Sequence, residues 1–160
     1  PILGGLTVVD AQLLGADGWD GVLSALDENN KSAVEGVVFT NHFTATDPDA
    51  KVQDFVTRYR EAYGSDPSSF AALGYDAGMM LFQAIEAAGT TDSAAVNEAL
   101  ANLQYEGVTG AIHYEGSGDP VKDVKFVTVK DGAYALVENG AEEAPAEEPA
   151  SEEASEEAAA

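Results

Sequence analysis

The stretch AVEGVVFTNHFTATDPDAKVQDFVTRYREAYGSDPSSFAALGYDAGMMLFQAIEAAG, residues 33–89, holds one short apolar run followed by two long periodic segments. Val37, Val38 and Phe39 stand in a row, the pattern of a strand buried on both faces. Beyond them Val52, Phe55, Val56, Tyr59 and Tyr63 recur at helical spacing. Asp47 reads as the N-cap of that helix, Pro48 as its first residue and Gly64 as its stop. A second helix is predicted from Phe70 to Ala88, with Leu73, Met80, Leu81, Ala84 and Ile85 on or near one face and Gly89 as the C-terminal stop. Its small residues, Ala71, Ala72, Gly74, Ala77 and Gly78, permit close packing against another backbone.

Working outward, a third helix capped at Asp92 or Ser93 carries Val96, Ala99, Leu100 and Leu103 at the same spacing. The pattern then turns extended: GAIHYE reads as a strand, GSGDP as a turn, and VKFVTV and AYALV as two strands joined through Lys130-Asp131-Gly132. Upstream, Ile2–Leu3 and Ala11–Leu14 read as strands with the β-branched LTVV between them, and a short polar helix is predicted over residues 20–29, capped by Asp20. Strands mixed with helices of this length indicate an α/β protein with a mostly parallel sheet flanked by helices.

The bulk numbers limit the function. Among 160 residues, 45% are hydrophobic, enough to build a core in residues 1–139. The segment 140–160, GAEEAPAEEPASEEASEEAAA, has eight Glu and no aromatic, and is expected to be a disordered acidic tail. The formal charge is −22, of which residues 1–139 carry −14. Only seven Lys and Arg are scattered along the chain, so nucleic acid is not an expected partner. An acidic surface supports solubility and favours cationic or zwitterionic ligands. Without cysteine, disulfides, thiolate metal sites and thiol nucleophiles are excluded. No run approaches the roughly 18 apolar residues of a membrane span. The chain starts at Pro1, without an initiator Met or a signal-peptide pattern, and reads as a processed product or a piece of something longer.

Motifs for chemistry are sparse. His42 and His113 lack a second ligand at metal spacing, so no metal or other cofactor is expected. Neither GADGWDG nor GSGD completes a phosphate-binding loop, and no nucleophile elbow is present. An enzyme is not expected. Within LLGADGWDG, residues 13–21, Asp17 and Asp20 could form a carboxylate pair, but no base or nucleophile accompanies them, and Asp20 reads as a helix cap. In open α/β sheets ligands sit beyond the carboxyl ends of strands, where Asp17 stands. On local grounds Asp17 is either a solvated turn residue or the anchor of a cationic group.

The order of these pieces resembles the C-terminal part of the solute-binding proteins of branched-chain amino acid ABC importers. The resemblance covers roughly residues 12–138 and rests on the acid before Gly at the strand end, the F-x-x-x-x-Y-D-A helix start from Phe70, and the closing TG…GD…K…V…V…DG run. It implies a partial type I periplasmic-binding-protein fold, with pieces of two lobes and much of the first lobe missing. It implies capture of a branched-chain amino acid or related small amide outside the cytoplasm, with lipid anchoring and an ABC permease partner. By the same resemblance Asp17 receives the ligand ammonium and Phe70 lies against its side chain. Trp19 is either part of that wall or core packing, and Tyr75 is structural. The tandem ILGG and LLGA do not fit the family, which has one strand leading to the acid. With only one wall of the cleft, strong independent binding is not expected, and exposed strand edges predict a homo-oligomer or exchanged dimer. Rival readings are a sensor domain of the same fold and an interaction piece that binds no small ligand.

Overall fold

The computed structural model describes residues 12–116 and 118–137. The strand expected at Ile2–Leu3, the LTVV stretch and the acidic tail lie outside the described residues. The described chain begins with β1 (Leu14–Gly15), then a 3₁₀ turn at Asp17–Trp19, the short α1 (Val22–Ala25) and a 3₁₀ helix at Glu28–Val34. This broken crossover replaces the single helix expected over 20–29. Asp20 does not cap it: α1 has Gly21 at its N-cap with φ +82° and no side-chain cap bond. The crossover returns the chain to β2 (Val38–Asn41), which pairs in parallel with β1.

Local chemistry sets the three long helices, α2 (Ala50–Tyr63), α3 (Ser69–Ala88) and α4 (Ser93–Ala101). Asp49, not Asp47, caps α2: its carboxylate accepts from the Lys51 and Val52 amides at 2.8 and 3.3 Å. Asp47 is committed elsewhere, buried in an ion pair with Lys125 and accepting from the Asp49 amide. Ser68 caps α3 through the Ala71 amide, and Asp92 caps α4 through the Ala94 and Ala95 amides. Along α3 the buried residues Ser69, Ala72, Asp76, Met80 and Ala84 form one stripe at helical spacing. The small residues are not all packing sites. Ala72 and Ala84 are fully buried, whereas a Cβ added at Gly74 or Gly78 would meet open space, and Leu81 is exposed.

The remaining strands are β3 (Tyr105–Gly107), β4 (Gly110–Tyr114), β5 (Pro120–Lys122), β6 (Lys125–Lys130) and β7 (Ala133–Leu136). One sheet has the order β1-β2-β6-β7 and the other β3-β4-β5. The α/β class holds, but the mostly parallel sheet does not: among the described strands only β1–β2 is parallel and the other pairings are antiparallel. Parallel neighbours need a crossover of a dozen or more residues, which the segment between β1 and β2 supplies. Short turns join β3 to β4 and β6 to β7, and such turns permit antiparallel pairing alone. At the β6–β7 turn Asp131 and Gly132 both take positive φ, the geometry of a two-residue hairpin loop.

Three apolar clusters are buried among the described residues, Met80, Tyr105 and Ile112 forming the smallest. Val34, Val37, Phe39, Val127 and Val129 fill one, with Trp19, Leu23 and Tyr134 packed on it. Phe43, Val52, Phe55, Val56, Ala72 and Val108 fill another. Tyr75 stacks on Phe55 there, with ring centroids 4.9 Å apart. The buried Asp76 carboxylate of α3 accepts from the Val108 and Thr109 amides and from the Tyr105 and Thr109 hydroxyls, at 2.7–3.1 Å. Gly107 leaves room for that carboxyl, which an added Cβ would overlap. Asp76 therefore docks the β3–β4 turn onto α3.

Candidate functional site

Because β1 and β2 run parallel, their carboxyl ends open on the same edge of the sheet. Such an edge is where α/β folds hold ligands. The chain leaving β1 makes the 3₁₀ turn, with the Trp19 amide donating to Ala16 O and the Asp20 amide to Asp17 O. Asp17 opens this turn and is exposed. Trp19 folds back over the strand end, so close that a Cβ on Gly15 would lie 2.7 Å from its Cδ1. Only glycine fits there, and the half-buried indole packs against the Val34–Phe39 core.

Asp20 closes the turn and reaches two distant segments. Its Oδ2 accepts from the Ser69 amide at 3.0 Å and the Ser69 hydroxyl at 2.8 Å. Its Oδ1 accepts from Asn41 Nδ2 at 3.3 Å. Ser69 and Asn41 are both buried. Asn41 in turn accepts the His42 amide through its own side-chain oxygen. Phe70 follows Ser69 in the first turn of α3 and is 67% exposed. Asp17 and Phe70 are thus both exposed beside the Asp20–Ser69 junction, Asp17 three residues before one partner and Phe70 one residue after the other.

His42 lies just past the end of β2, with Nδ1 buried and without a hydrogen-bond partner. Burial, then the charge of Lys122, hold its imidazole below the usual pKa, while Asp17 pulls the other way. Beside the junction is a cavity of about 400 Å³ lined by residues that include Asp20, Leu23, Asn41, Thr44, Ser69 and Tyr134. Its size lies in the range of small-molecule sites. Asp17, Trp19 and Phe70 do not line it. Among the described residues no group of three or more His, Asp or Glu side chains is gathered to hold a metal.

Sequence reasoning missed Asn41, Ser69 and the reach of Asp20. Asn41 follows the apolar run and Ser69 precedes Phe70, but neither carries a local signal for a contact so far along the chain. The burial of two polar residues at an otherwise exposed edge marks them only in the fold.

The sequence pattern described as periplasmic binding protein matches residues 4–133. No match to a curated protein was found. Among solved structures, a leucine-binding protein from Thermotoga maritima is 33% identical with a TM-score of 0.67, covering 81% of this chain and 37% of its own. A branched-chain amino acid transporter substrate-binding protein from Streptococcus pneumoniae, in complex with isoleucine, is 28% identical with a TM-score of 0.66, covering 80% and 37%. A solute-binding protein of an ABC transporter from R. palustris, in complex with benzoate, is 26% identical with a TM-score of 0.67, covering 79% and 35%. The chain therefore spans little more than a third of the length of these proteins.

Proposed function

Because the chain belongs to the periplasmic binding protein family, we propose that it forms one wall of the cleft of a non-catalytic solute-binding protein. The captured solute is an amino acid of the branched-chain type or a related small amide. The proposed place of work is outside the cytoplasm, with an ABC importer's permease as the partner that accepts the loaded protein. The observation carrying this reading is an exposed carboxylate, Asp17, at the carboxyl end of the parallel pair β1–β2. A ligand ammonium on that carboxylate forms a charge-assisted hydrogen bond worth about 1.5–3 kcal/mol. The exposed ring of Phe70 supplies the apolar surface for the ligand side chain. Trp19, resting on Gly15 and the core, supports the turn that presents Asp17.

The leucine- and isoleucine-binding relatives support an amino acid over other solutes. The benzoate-binding relative shows that a similar fold also serves an aromatic acid. A carboxylate at the strand end repels such a ligand and attracts an ammonium. The test is an NMR chemical-shift titration of the chain with L-leucine and with 4-methylpentanoate, which has the same side chain and no ammonium. Asp17→Asn is expected to weaken leucine by about ten- to a hundredfold and, by relieving repulsion, to leave 4-methylpentanoate bound no more weakly. Equal losses for the two would sink the ammonium role, and tighter binding of benzoate than of leucine would replace the proposed ligand class.

A further inference from the structure

We infer that Asp20 is the positioning residue of this site, fixing how far the anionic anchor stands from the apolar wall; this rests on the reading of Asp17 and Phe70 as ligand residues. One carboxylate holds three segments: the turn after β1, the end of β2 at Asn41, and the start of α3 at Ser69. Those partners lie 21 and 49 residues away along the chain. Its neighbour Trp19 packs on the Val34–Phe39 core, whereas Ala72, one turn beyond Ser69, belongs to the Phe43–Phe55 core. Asp20 thus ties one packing unit to the other.

The chemistry of the tie is specific. Ser68 already caps α3 through the Ala71 amide, leaving the Ser69 amide without an intrahelical acceptor. Asp20 satisfies that amide and sets a negative charge against the positive end of a 20-residue helix. Two further links cross between the same parts of the molecule, Thr46 Oγ1 donating to Tyr134 O and the Asp47–Lys125 ion pair. Neither touches the segments that carry Asp17 and Phe70. Without Asp20, the Ser69 amide, the Ser69 hydroxyl and Asn41 Nδ2 lose their shared acceptor. Asp17 and Phe70 then keep their chemistry and lose their spacing.

The consequence separates Asp20 from Asp17. Losing the anchor removes the ammonium contact alone, whereas losing the spacing weakens a ligand that must reach both groups and also frees the start of α3. The experiment pairs Asp20→Ala, Asp20→Asn and Ser69→Ala with the leucine and 4-methylpentanoate titrations, and adds amide hydrogen exchange at Ser69 and Phe70 without ligand. Asp20→Ala is expected to weaken leucine by about tenfold, to weaken 4-methylpentanoate, which does not reach Asp17, less, and to speed exchange at both amides, which Asp17→Asn leaves unchanged. Asp20→Asn, which keeps one oxygen acceptor, is expected to recover part of the affinity, and Ser69→Ala to lose part of it with the fold intact. Unchanged affinity for leucine in a folded Asp20→Ala chain overturns the inference, as does unchanged exchange at Ser69. If Asp20→Ala does not fold, Ser69→Ala decides by the same two readouts. If the wild-type chain binds neither probe, the ligand reading fails, and the exchange data alone uphold or overturn the junction.

Discussion

His42 shows how one residue records its surroundings at this edge. It follows β2 as Asp17 follows β1, and the parallel pairing sets the two side by side in the fold. Burial and Lys122 keep the imidazole neutral to lower pH than in an unfolded chain, where its pKa is about 6.5. Between the lowered folded value and about 6.5 the unfolded chain binds more protons, so stability rises with pH across that window and falls as pH drops through it. Urea midpoints followed by circular dichroism from pH 5 to 7.5 are expected to decline toward the acid end. His42→Gln is expected to flatten the decline, and an unaltered slope in the variant would remove His42 as its source. Asp66, held low by its hydrogen bond to Arg60, titrates in a more acid range and does not obscure the effect. The proposed site residues divide in the same way between local and distant causes. Asp17 could be singled out locally as an acid past a strand end, and Phe70 only through the family resemblance. Asp20 could not, because an acid ahead of a short polar segment has the local pattern of a cap, and its actual partners lie far along the chain.

Elements follow local rules until a neighbour competes for the same side chain. The helices α2, α3 and α4 lie where periodicity and glycine stops put them, since spacing, caps and left-handed ends are written within a few residues. Asp-Pro-Asp at 47–49 offers two carboxylates for one cap, and their roles are divided by Lys125, which lies in β6. Asp49→Ala is expected to cost about 1 kcal/mol, the usual loss of an N-cap. Asp47→Ala is expected to cost more, about 2–3 kcal/mol, because it strips a partly buried lysine of its partner and the Asp49 amide of its acceptor. Urea denaturation of the two variants compares them directly, and an equal or reversed order would contradict the assignment. Strand pairing was less legible than helix position for the same reason of range. Alternation and β-branched composition mark a segment as extended, but which strand it meets depends on connections of very different length. Among the described strands the parallel pairing is confined to β1–β2, while β2 and β6, joined by a still longer connection, run antiparallel.

At the scale of the molecule, charge and apolar surface oppose each other. Each copy carries −22, which repels a second copy at low ionic strength. The sheet edges among the described strands are β1 and β7 in one sheet and β3 and β5 in the other, none longer than four residues, and edges so short offer little template for pairing. The outer row of α3 offers more: Phe82 is 66% exposed and Leu81 45%, beside the open positions Gly74 and Gly78. The only acids on α3 are Asp76, which is buried, and Glu86 near its end, so this row is apolar within an otherwise acidic chain. Salt shortens the reach of the repulsion from about 30 Å at 0.01 M to about 3 Å at 1 M and leaves apolar contact intact. Sedimentation velocity is therefore expected to find a monomer in dilute salt and self-association in molar sodium chloride. Phe82→Ser is expected to suppress that association, whereas Leu14→Lys on the β1 edge is expected to leave it unchanged. The opposite pattern would return the contact to the sheet edge, as the exposed strands alone would suggest. A monomer at every salt concentration would mean that the α3 row does not hold a second copy.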